Sequence, residues 1–228
     1  MMAKAGFNKV FVGIETPDEN CLKECNKKQN NNRSLIDCVH EIQDAGIEVA
    51  AGFIVGFDND PPNIFERQID FIQKSGILTA MVGLLNAPRK SKLYQRLSRE
   101  GRILNNFSGD NTDYSINFVP AMDREKLLDG YRKIIREIYS AKSYYERMVC
   151  FLKKYNPHIR DRISLLKLGA FLKSIFYLGI LKRHRIYYWR ILFWSIFMRP
   201  ELFSMAVTYS IYGYHFRRVF RDLDVRKV

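Results

Sequence analysis

The chain has 228 residues, with 37 Lys and Arg against 24 Asp and Glu, which gives a formal net charge of +13. That length suits one large or two small domains, and a content of 16 Phe, 13 Tyr and 2 Trp excludes an intrinsically disordered protein. Four cysteines without a paired framework, and no secretory or membrane-spanning segment, exclude a disulfide-stapled secreted module and favour a reducing cytoplasm.

A short phrase that ends in glycine occurs three times in the first hundred residues, at Gly6, Gly46 and Gly76. Glycine in this place ends a helix, because without a Cβ it adopts the left-handed conformation. A β-rich apolar run follows each glycine within a few residues, and continuous runs of this kind indicate strands buried in a parallel sheet. The runs cover residues 10–14, 49–55 and 81–85.

Amphipathic helices are predicted after these strands. Ser34 is the expected N-cap of a stripe over 35–42, and Pro61 and Pro62 lead into a second stripe over 64–72. A third helix over 93–99 is expected to end at Gly101. Strand and helix therefore alternate three times, as in right-handed βαβ units, and the predicted fold class is α/β.

The repeat begins with a helix end that no helix precedes. The first strand, over 9–15, would be a sheet edge with apolar residues on both faces, which proteins rarely leave open. We therefore expect this chain to be the C-terminal part of a longer design, or to need a partner that covers the edge. The alternative is a small open sheet capped by the C-terminal helices.

Candidate binding residues stand at the strand ends, because ligands of α/β folds gather where strands give way to loops. A carboxylate such as Glu15 suits ribose hydroxyls or an amino group, although pairing with a nearby lysine or capping of the next helix explains it as well. Gly52 and Gly56 would admit a flat ligand, and close packing of a helix on the sheet is the alternative explanation.

The last third of the chain differs from the rest in charge and composition. Residues 151–228 hold 16 Lys and Arg against 4 Asp and Glu, and also 17 of the aromatic side chains. Asp123 is the predicted N-cap of a long helical stretch, and further helices are predicted near 162–181, 185–198 and 201–221. This part is therefore expected to be all-α.

Three interpretations fit the basic, aromatic helices. They form a helical cap with solvated charges, or a platform on an anionic membrane surface, where each Lys or Arg contributes about 1 kcal/mol. Binding of nucleic acid is the third interpretation, and it is not favoured because the aromatic residues recur at core spacing.

The phrases VFVGIET, AAGFIVGFDND and VGLLNAPRKSKLYQRLSREGRIL resemble, in order and spacing, the second half of a radical S-adenosylmethionine (SAM) barrel. The similarity is greatest to B12-binding radical SAM proteins, whose uncharacterised C-terminal domain the phrases around Tyr188 and Tyr214 resemble. The resemblance implies a partial TIM-type barrel of three βα units over 1–104, a linker over 105–122 and an all-α domain over 123–228.

The resemblance also implies a SAM site and a chemistry. In such enzymes a reduced [4Fe–4S] cluster cleaves SAM to a 5′-deoxyadenosyl radical, which abstracts hydrogen from the substrate. The implied site has a carboxylate for the ribose or amino acid part of SAM, a lysine for its carboxylate, a strand against the adenine and a closing loop. Glu15 would be the carboxylate, and Lys27 or Lys28 the lysine. Gly52, Ile54 and Gly56 would form the strand, and Asn86 to Pro88 the closing loop.

The cluster motif of that family, C-x3-C-x2-C, is incomplete in this sequence. Cys21 and Cys25 have the first spacing, but Lys28 stands where the third cysteine is expected, and two thiolates do not hold a [4Fe–4S] cluster. Addition of Cys38 and His40 gives no recognised zinc spacing. No metal ligand and no catalytic residue is therefore assigned, and the cluster and cobalamin are expected only in the complete family protein.

The expected function is that of a radical SAM enzyme fragment, of the methyltransferase type and acting on a lipid-like substrate, which is inactive alone. Its expected partner is then the missing N-terminal half. The alternative is a non-catalytic module that completes a barrel in trans or binds membrane surfaces, in the cytoplasm or at the membrane periphery.

Overall fold

A computed structural model describes residues 1–24, 34–104, 114–157 and 165–225. At its centre is a parallel sheet of three strands, β1 (Lys9–Glu15), β2 (Glu48–Val55) and β3 (Thr79–Leu84), which lie side by side in chain order. The predicted α/β class and the three parallel strands are confirmed.

Helices make up most of the remaining described chain. Two 3₁₀ turns, Ala3–Ala5 and Pro200–Leu202, and a π-helical segment, Ile175–Leu181, occur beside the α-helices. In chain order the α-helices are α1 (Glu19–Glu24), α2 (Leu35–Asp44), α3 (Ile64–Ser75), α4 (Lys92–Arg99), α5 (Arg124–Ile138), α6 (Ala141–Lys154), α7 (Leu165–Ser174), α8 (Arg185–Met198) and α9 (Phe203–Val225).

Local signals in the sequence set several helix ends. The hydroxyl of Ser34 accepts the Asp37 N–H at the start of α2, and the carboxylate of Asp123 accepts the Lys126 N–H at the start of α5. The glycines that end the three repeated phrases all have positive φ, as expected of helix-terminating glycines. They are Gly6 at 89°, Gly46 at 73° and Gly76 at 71°.

Two details of the predicted helices differ from the structure. Pro61 and Pro62 precede α3 and do not enter its first turn, because Asn63 occupies the N-cap position. The long stretch expected after Asp123 is two helices, since the hydroxyl of Ser140 accepts the Ser143 N–H and begins α6 anew.

The two faces of the sheet have different surroundings. On one face, Val49, Phe53 and Val82 are buried, and the Phe53 ring meets the ring of Phe71 on α3 edge to face at 5.9 Å. Side chains alternate between the faces of a strand, so Phe11 and Met81 belong to the other face. These two side chains are 62% and 59% exposed. One face therefore lies in the core, and the other is open along much of its length.

The two edges of the sheet also differ. Within the described ranges, β1 pairs with β2 and has no strand on its other side, as the repeat predicted for the first strand. At the opposite edge α5 packs against β3, and the hydroxyl of Tyr139, which follows α5, donates to the Ala80 carbonyl at 2.8 Å. Helix α5 and Tyr139 thus shield part of the β3 edge, whereas none of the described strands pairs with the outer side of β1.

The C-terminal helices share a core with the sheet layer. Helices α5 and α6 pack on α3, and α9 packs on α6 and α8, so that buried side chains are continuous from β2 to α9. Gly130 marks the closest approach of α5 to α3, since a Cβ at this position would overlap the Phe65 ring. Gly213 has the same relation to the Tyr144 ring between α9 and α6.

Exposed apolar side chains are frequent on the C-terminal helices. No helix in the part of the chain that the structure describes is both long enough and apolar enough to cross a bilayer. Large side chains nevertheless face outward from the π-helical segment and from α8, including Phe176, Ile180, Ile186, Phe193, Phe197 and Met198.

Substitution by alanine should have opposite effects on the free energy of unfolding at two helical glycines, one at the contact of α5 with α3 and one in open space. Gly130→Ala should lower the stability by about 1–3 kcal/mol, because its methyl group has to displace the Phe65 ring. Gly169→Ala, in α7 with no heavy atom within 4 Å of the added Cβ, should stabilise by about 0.5–1 kcal/mol. Urea unfolding measures the stability of both variants. Equal changes in the free energy of unfolding would contradict the close contact of Gly130 with the Phe65 ring.

Candidate functional site

The candidate site is the open face of the sheet and the ends of its strands. Gly13, Gly52 and Met81 stand side by side across the three strands, and Ile54 lies beside Gly83 in the next row. A Cβ at Gly52 would lie 3.3 Å from the Phe11 ring, so the glycine leaves room for this ring against the strand. In these rows Gly13, Gly52 and Gly83 carry no side chain, while Met81, Ile54 and the Phe11 ring lie beside them, so the centre of the face is shallow and apolar and suits contact with a flat group.

Glu15 ends β1 in an unusual backbone conformation. The pairing of β1 with β2 shifts between Gly13 and Glu15, and Glu15 takes φ 67°, in the left-handed region. A residue other than glycine in this region costs about 1–3 kcal/mol, and such strain clusters at ligand sites and active sites. Capping of the next helix does not explain Glu15, because Asp18 accepts the Asn20 and Cys21 N–H groups that begin α1.

Gly56 serves the turn that follows β2. Its φ is 107°, which L side chains rarely adopt, and the Gly56 and Phe57 N–H groups donate to one carboxylate oxygen of Asp60 at 2.7 and 3.1 Å. A Cβ at Gly56 would lie 3.2 Å from Leu127 of α5. The close packing that the sequence left open for this glycine is therefore present.

Asn86 holds the loop that follows β3. Its amide donates to the Ser115 carbonyl at 3.1 Å, and its oxygen accepts the Asn117 N–H at 3.1 Å. Asn117 in turn bonds both the N–H and the carbonyl of Ala87. Pro88, the next residue, is exposed. This exchange fixes the end of β3, and no local pattern indicated Asn117, because it lies thirty residues beyond Ala87 in the chain.

Two predicted residues have no described position. Lys27 and Lys28 lie outside the described residues, together with Cys25. The structure therefore brings together Glu15, Gly52 and Ile54 on neighbouring strands, and places Asn86 at the end of the third.

A network of charges that the sequence did not indicate ties the strand-end loops together. Arg102 donates to both carboxylate oxygens of Asp58, at 2.6 and 3.0 Å, and Arg96 of α4 donates to Asp58 at 2.7 Å. Arg96 also reaches Glu24 of α1 at 2.9 Å. These bonds, those from Arg102 foremost, lower the pKa of Asp58, and the pKa of Arg102 is raised. Such pairs join residues 38 to 72 positions apart, so spacing alone did not reveal them.

Cys21 lies beneath this network as a protonated thiol. It is fully buried, its Sγ donates to Asp60 at 3.2 Å, and burial together with Asp60 raises the pKa of the thiol far above its usual range. Burial also raises the pKa of Asp60. Iron–sulfur ligands are thiolates, so this environment does not fit Cys21 as a cluster ligand. No group of three candidate ligands for a metal occurs among the residues whose positions are described.

Asp18 fixes the loop after β1 from the other side. Its carboxylate accepts a bond from Arg67 of α3 at 2.6 Å. Burial opposes the charged form, but the bonds from Cys21 and the charge of Arg67 outweigh it and lower the pKa of Asp18. The loops after β1 and β2 are thus held at fixed positions beside the open face.

Comparisons with known proteins identify relatives of both parts of the chain. Residues 91–227 match a family model described as a domain of unknown function (DUF4070). The chain is 32% identical over 221 residues to an uncharacterized methyltransferase from Synechocystis sp., over 95% of this chain and 41% of that protein. It is 29% identical over 199 residues to the hopanoid C-2 methylase of Rhodopseudomonas palustris, over 83% of this chain and 37% of that protein.

A third relative is the bacteriochlorophyllide d C-12(1)-methyltransferase of Chlorobaculum tepidum. It is 27% identical over 150 residues, which are 65% of this chain and 32% of that protein. The chain therefore spans about two fifths or less of the length of these relatives.

The lowered pKa of Asp58 predicts how stability depends on pH. A carboxyl whose pKa is lowered by folding stabilises the fold above its unfolded pKa, and this contribution is lost as the pH falls through the folded pKa. Asp58→Asn should therefore lose about 1 kcal/mol at neutral pH and show a flatter fall in stability between about pH 5 and pH 2.

Asp70→Asn is the matched control, because Asp70 is exposed and pairs with Lys74 at 3.5 Å on the surface of α3. Urea unfolding at several pH values measures both variants. A pH profile of Asp58→Asn that parallels the profile of the unmodified chain would show that the network does not hold the loops as described.

Proposed function

Because the chain belongs to the DUF4070 family and three longer relatives are named as methyltransferases or as a methylase, we propose that it is part of a radical SAM methyltransferase. In this proposal, residues 1–104 form the SAM-binding half of a TIM-type barrel, 105–122 a linker and 123–228 the helical domain. The relatives' names support methyl transfer, and the radical mechanism is the expectation that the sequence raised.

The proposal rests on the open face of the sheet and on the outer side of β1, with which no described strand pairs. In a partial barrel, the inner face of each strand lines the interior, and every strand inside the sheet has a neighbour on both sides. The helices α2 and α3 cover the outer face, and the open face holds Gly52, Phe11 and Met81. Further strands would then continue from β1, while α5 already covers the edge at β3.

We assign SAM to the open face near the strand ends. The backbone around Gly52 and Ile54 would lie against the adenine, Glu15 would orient the ribose or amino acid part, and the loop from Asn86 to Pro88 would close the site. Lys27 or Lys28 would face the SAM carboxylate. When bound, SAM supplies the methyl group or the radical. The residues of this chain bind it, orient it and exclude water.

The [4Fe–4S] cluster and cobalamin belong, in this proposal, to segments of the complete family protein that the chain does not supply. The buried Cys21 thiol does not fit a cluster ligand, so no reaction step is assigned to it. The proposed partner is therefore a segment that completes the barrel at the β1 edge.

We further propose an apolar, lipid-like substrate. Two relatives are named for a hopanoid and for a bacteriochlorophyllide, and the open face of this chain exposes the apolar side chains of Phe11 and Met81. The exposed apolar side chains of α8 beside basic residues favour contact of the helical part with an anionic membrane surface, where such a substrate is held.

A hybrid protein tests the assignment of SAM. The part of the Synechocystis relative that this chain does not cover is joined to the chain, the product is reconstituted without oxygen, and SAM binding is measured by calorimetry. Gly52→Val should weaken SAM binding at least about tenfold, because its side chain and the Phe11 ring that it displaces would occupy the surface proposed for the adenine. Glu15→Gln should weaken it less.

Two variants away from the face serve as controls. Gly169→Ala lies in α7 with open space around its Cβ, and Glu41→Gln lies on the exposed side of α2, so both should bind SAM as the unmodified hybrid does. Unchanged affinity in Gly52→Val, or failure of the folded hybrid to bind SAM, would contradict the proposed function.

A further inference from the structure

A second cavity lies away from the strand ends, at the junction of α5 and α6. It has a volume of about 530 Å³ and is also lined by the loop before α8 and by the C-terminal half of α9. The cavity touches Tyr139, whose hydroxyl bonds Ala80 near the start of β3, whereas the candidate SAM site is at the ends of the strands. The two sites are therefore distinct.

The described lining of this cavity is strongly basic. It contains seven Lys or Arg residues and one histidine, and no Asp or Glu occurs among the lining residues that the structure describes. Tyrosine rings form much of its wall, including those of Tyr114, Tyr145 and Tyr214. Pockets for small organic ligands typically have volumes of about 300–1,000 Å³, and this cavity falls within that range.

Two of the cations lie on aromatic rings and have no counter-ion among the residues that the structure describes. The Arg217 guanidinium lies 5.7 Å from the centre of the Tyr145 ring, and the Lys182 ammonium lies 5.1 Å from the centre of the Tyr214 ring. The Nη1 atom of Arg217 is shielded from water and has no hydrogen-bond partner among the described residues. Neither side chain forms a salt bridge within that part of the chain.

A further guanidinium, with no carboxylate paired to it in the described part of the chain, lies behind the cavity wall. Arg147 is 1% exposed, and its guanidinium lies 5.9 Å from the centre of the Tyr139 ring. Its Nε and Nη2 atoms have no hydrogen-bond partner in the described chain, although another nitrogen bonds Gln73. Like charges held close together in a partly water-excluded space repel one another, so an anion in the cavity would stabilise the arrangement.

We propose that this cavity binds a phosphoryl-bearing anion. Arg217 and Lys182 are the residues that hold the phosphoryl oxygens, because guanidinium and ammonium groups donate several charge-assisted hydrogen bonds to such oxygens. The tyrosine rings carry the organic part of the ligand and exclude water. A free phosphate compound and the headgroup of an anionic phospholipid share this chemistry, and the test separates the two sources.

The probe is inorganic pyrophosphate, titrated into the full chain by calorimetry at low and at high salt. Binding should be present at low salt and weaker at high salt, because the attraction is electrostatic. Arg217→Met and Lys182→Met each remove the positive charge and leave an unbranched apolar side chain in its place. Each should weaken binding at least about tenfold while the circular dichroism spectrum and thermal midpoint stay close to those of the unmodified chain.

Lys154→Gln is the matched control. Lys154 is exposed and ends α6, whose first residue, Ala141, touches the cavity, so that the helix places the two about 20 Å apart. This variant removes one positive charge from the same helical part of the chain. Its affinity for pyrophosphate should stay within about twofold of that of the unmodified chain.

Vesicles distinguish the source of the phosphoryl group. Co-sedimentation with phosphatidylglycerol vesicles but not with phosphatidylcholine vesicles, lost in Arg217→Met, supports the proposal with a lipid headgroup as ligand. Pyrophosphate binding without vesicle binding supports it with a free phosphate compound. Absence of binding in both arms, or equal losses in Arg217→Met and Lys154→Gln, would overturn it. None of these readouts depends on SAM.

Discussion

The exposed edge of β1 is the constraint on which the rest of this structure depends. A strand in a parallel sheet satisfies its backbone N–H and C=O groups on both sides, and an unpaired apolar edge invites association with another chain. The sheet meets this requirement at β3, where α5 and Tyr139 cover the edge, and not at β1 in the described chain. The open face, with its glycines and exposed Phe11, adjoins the same edge. Both features are explained together if further strands continue from β1.

The loops beside the open face are held before any ligand binds. The carboxylate of Asp58 joins Arg96 and Arg102, and that of Asp18 joins Arg67, so that the loops after β1 and β2 are tied to α3 and α4. Ligands bind more tightly to a site whose groups are already in place, because less ordering accompanies binding. The charge network therefore acts on the proposed function through the position of the loops and not through contact with SAM.

The sequence predicted the repeating part of the fold well and the site only in outline. Strand runs and glycine helix ends are local signals, and Ser34, Asp123 and the repeat glycines behave as their local chemistry requires. Gly56 was ambiguous between ligand approach and packing, because both need the absence of a Cβ, and only the contact with Leu127 separates them.

Features that depend on distant partners were not predictable from spacing. The pairs of Asp58 with Arg102 and of Cys21 with Asp60 each join parts of the chain about forty residues apart. The basic cavity arises where α5, α6, the loop before α8 and α9 meet, although its charges were visible as clusters in the sequence. Composition left an anionic partner open in two of three interpretations, and only the fold brought the cations of three segments around one space.

Hydrogen exchange along β1 tests the central claim most directly. We expect the amides of residues 9–12 that point away from β2 to exchange rapidly in the isolated chain and to become protected when the part of the Synechocystis relative that this chain does not cover is added. The amides of α8 should not change, since this helix lies away from the edge. Full protection of β1 in the isolated chain, or no change in β1 on addition of the folded segment, would contradict the account.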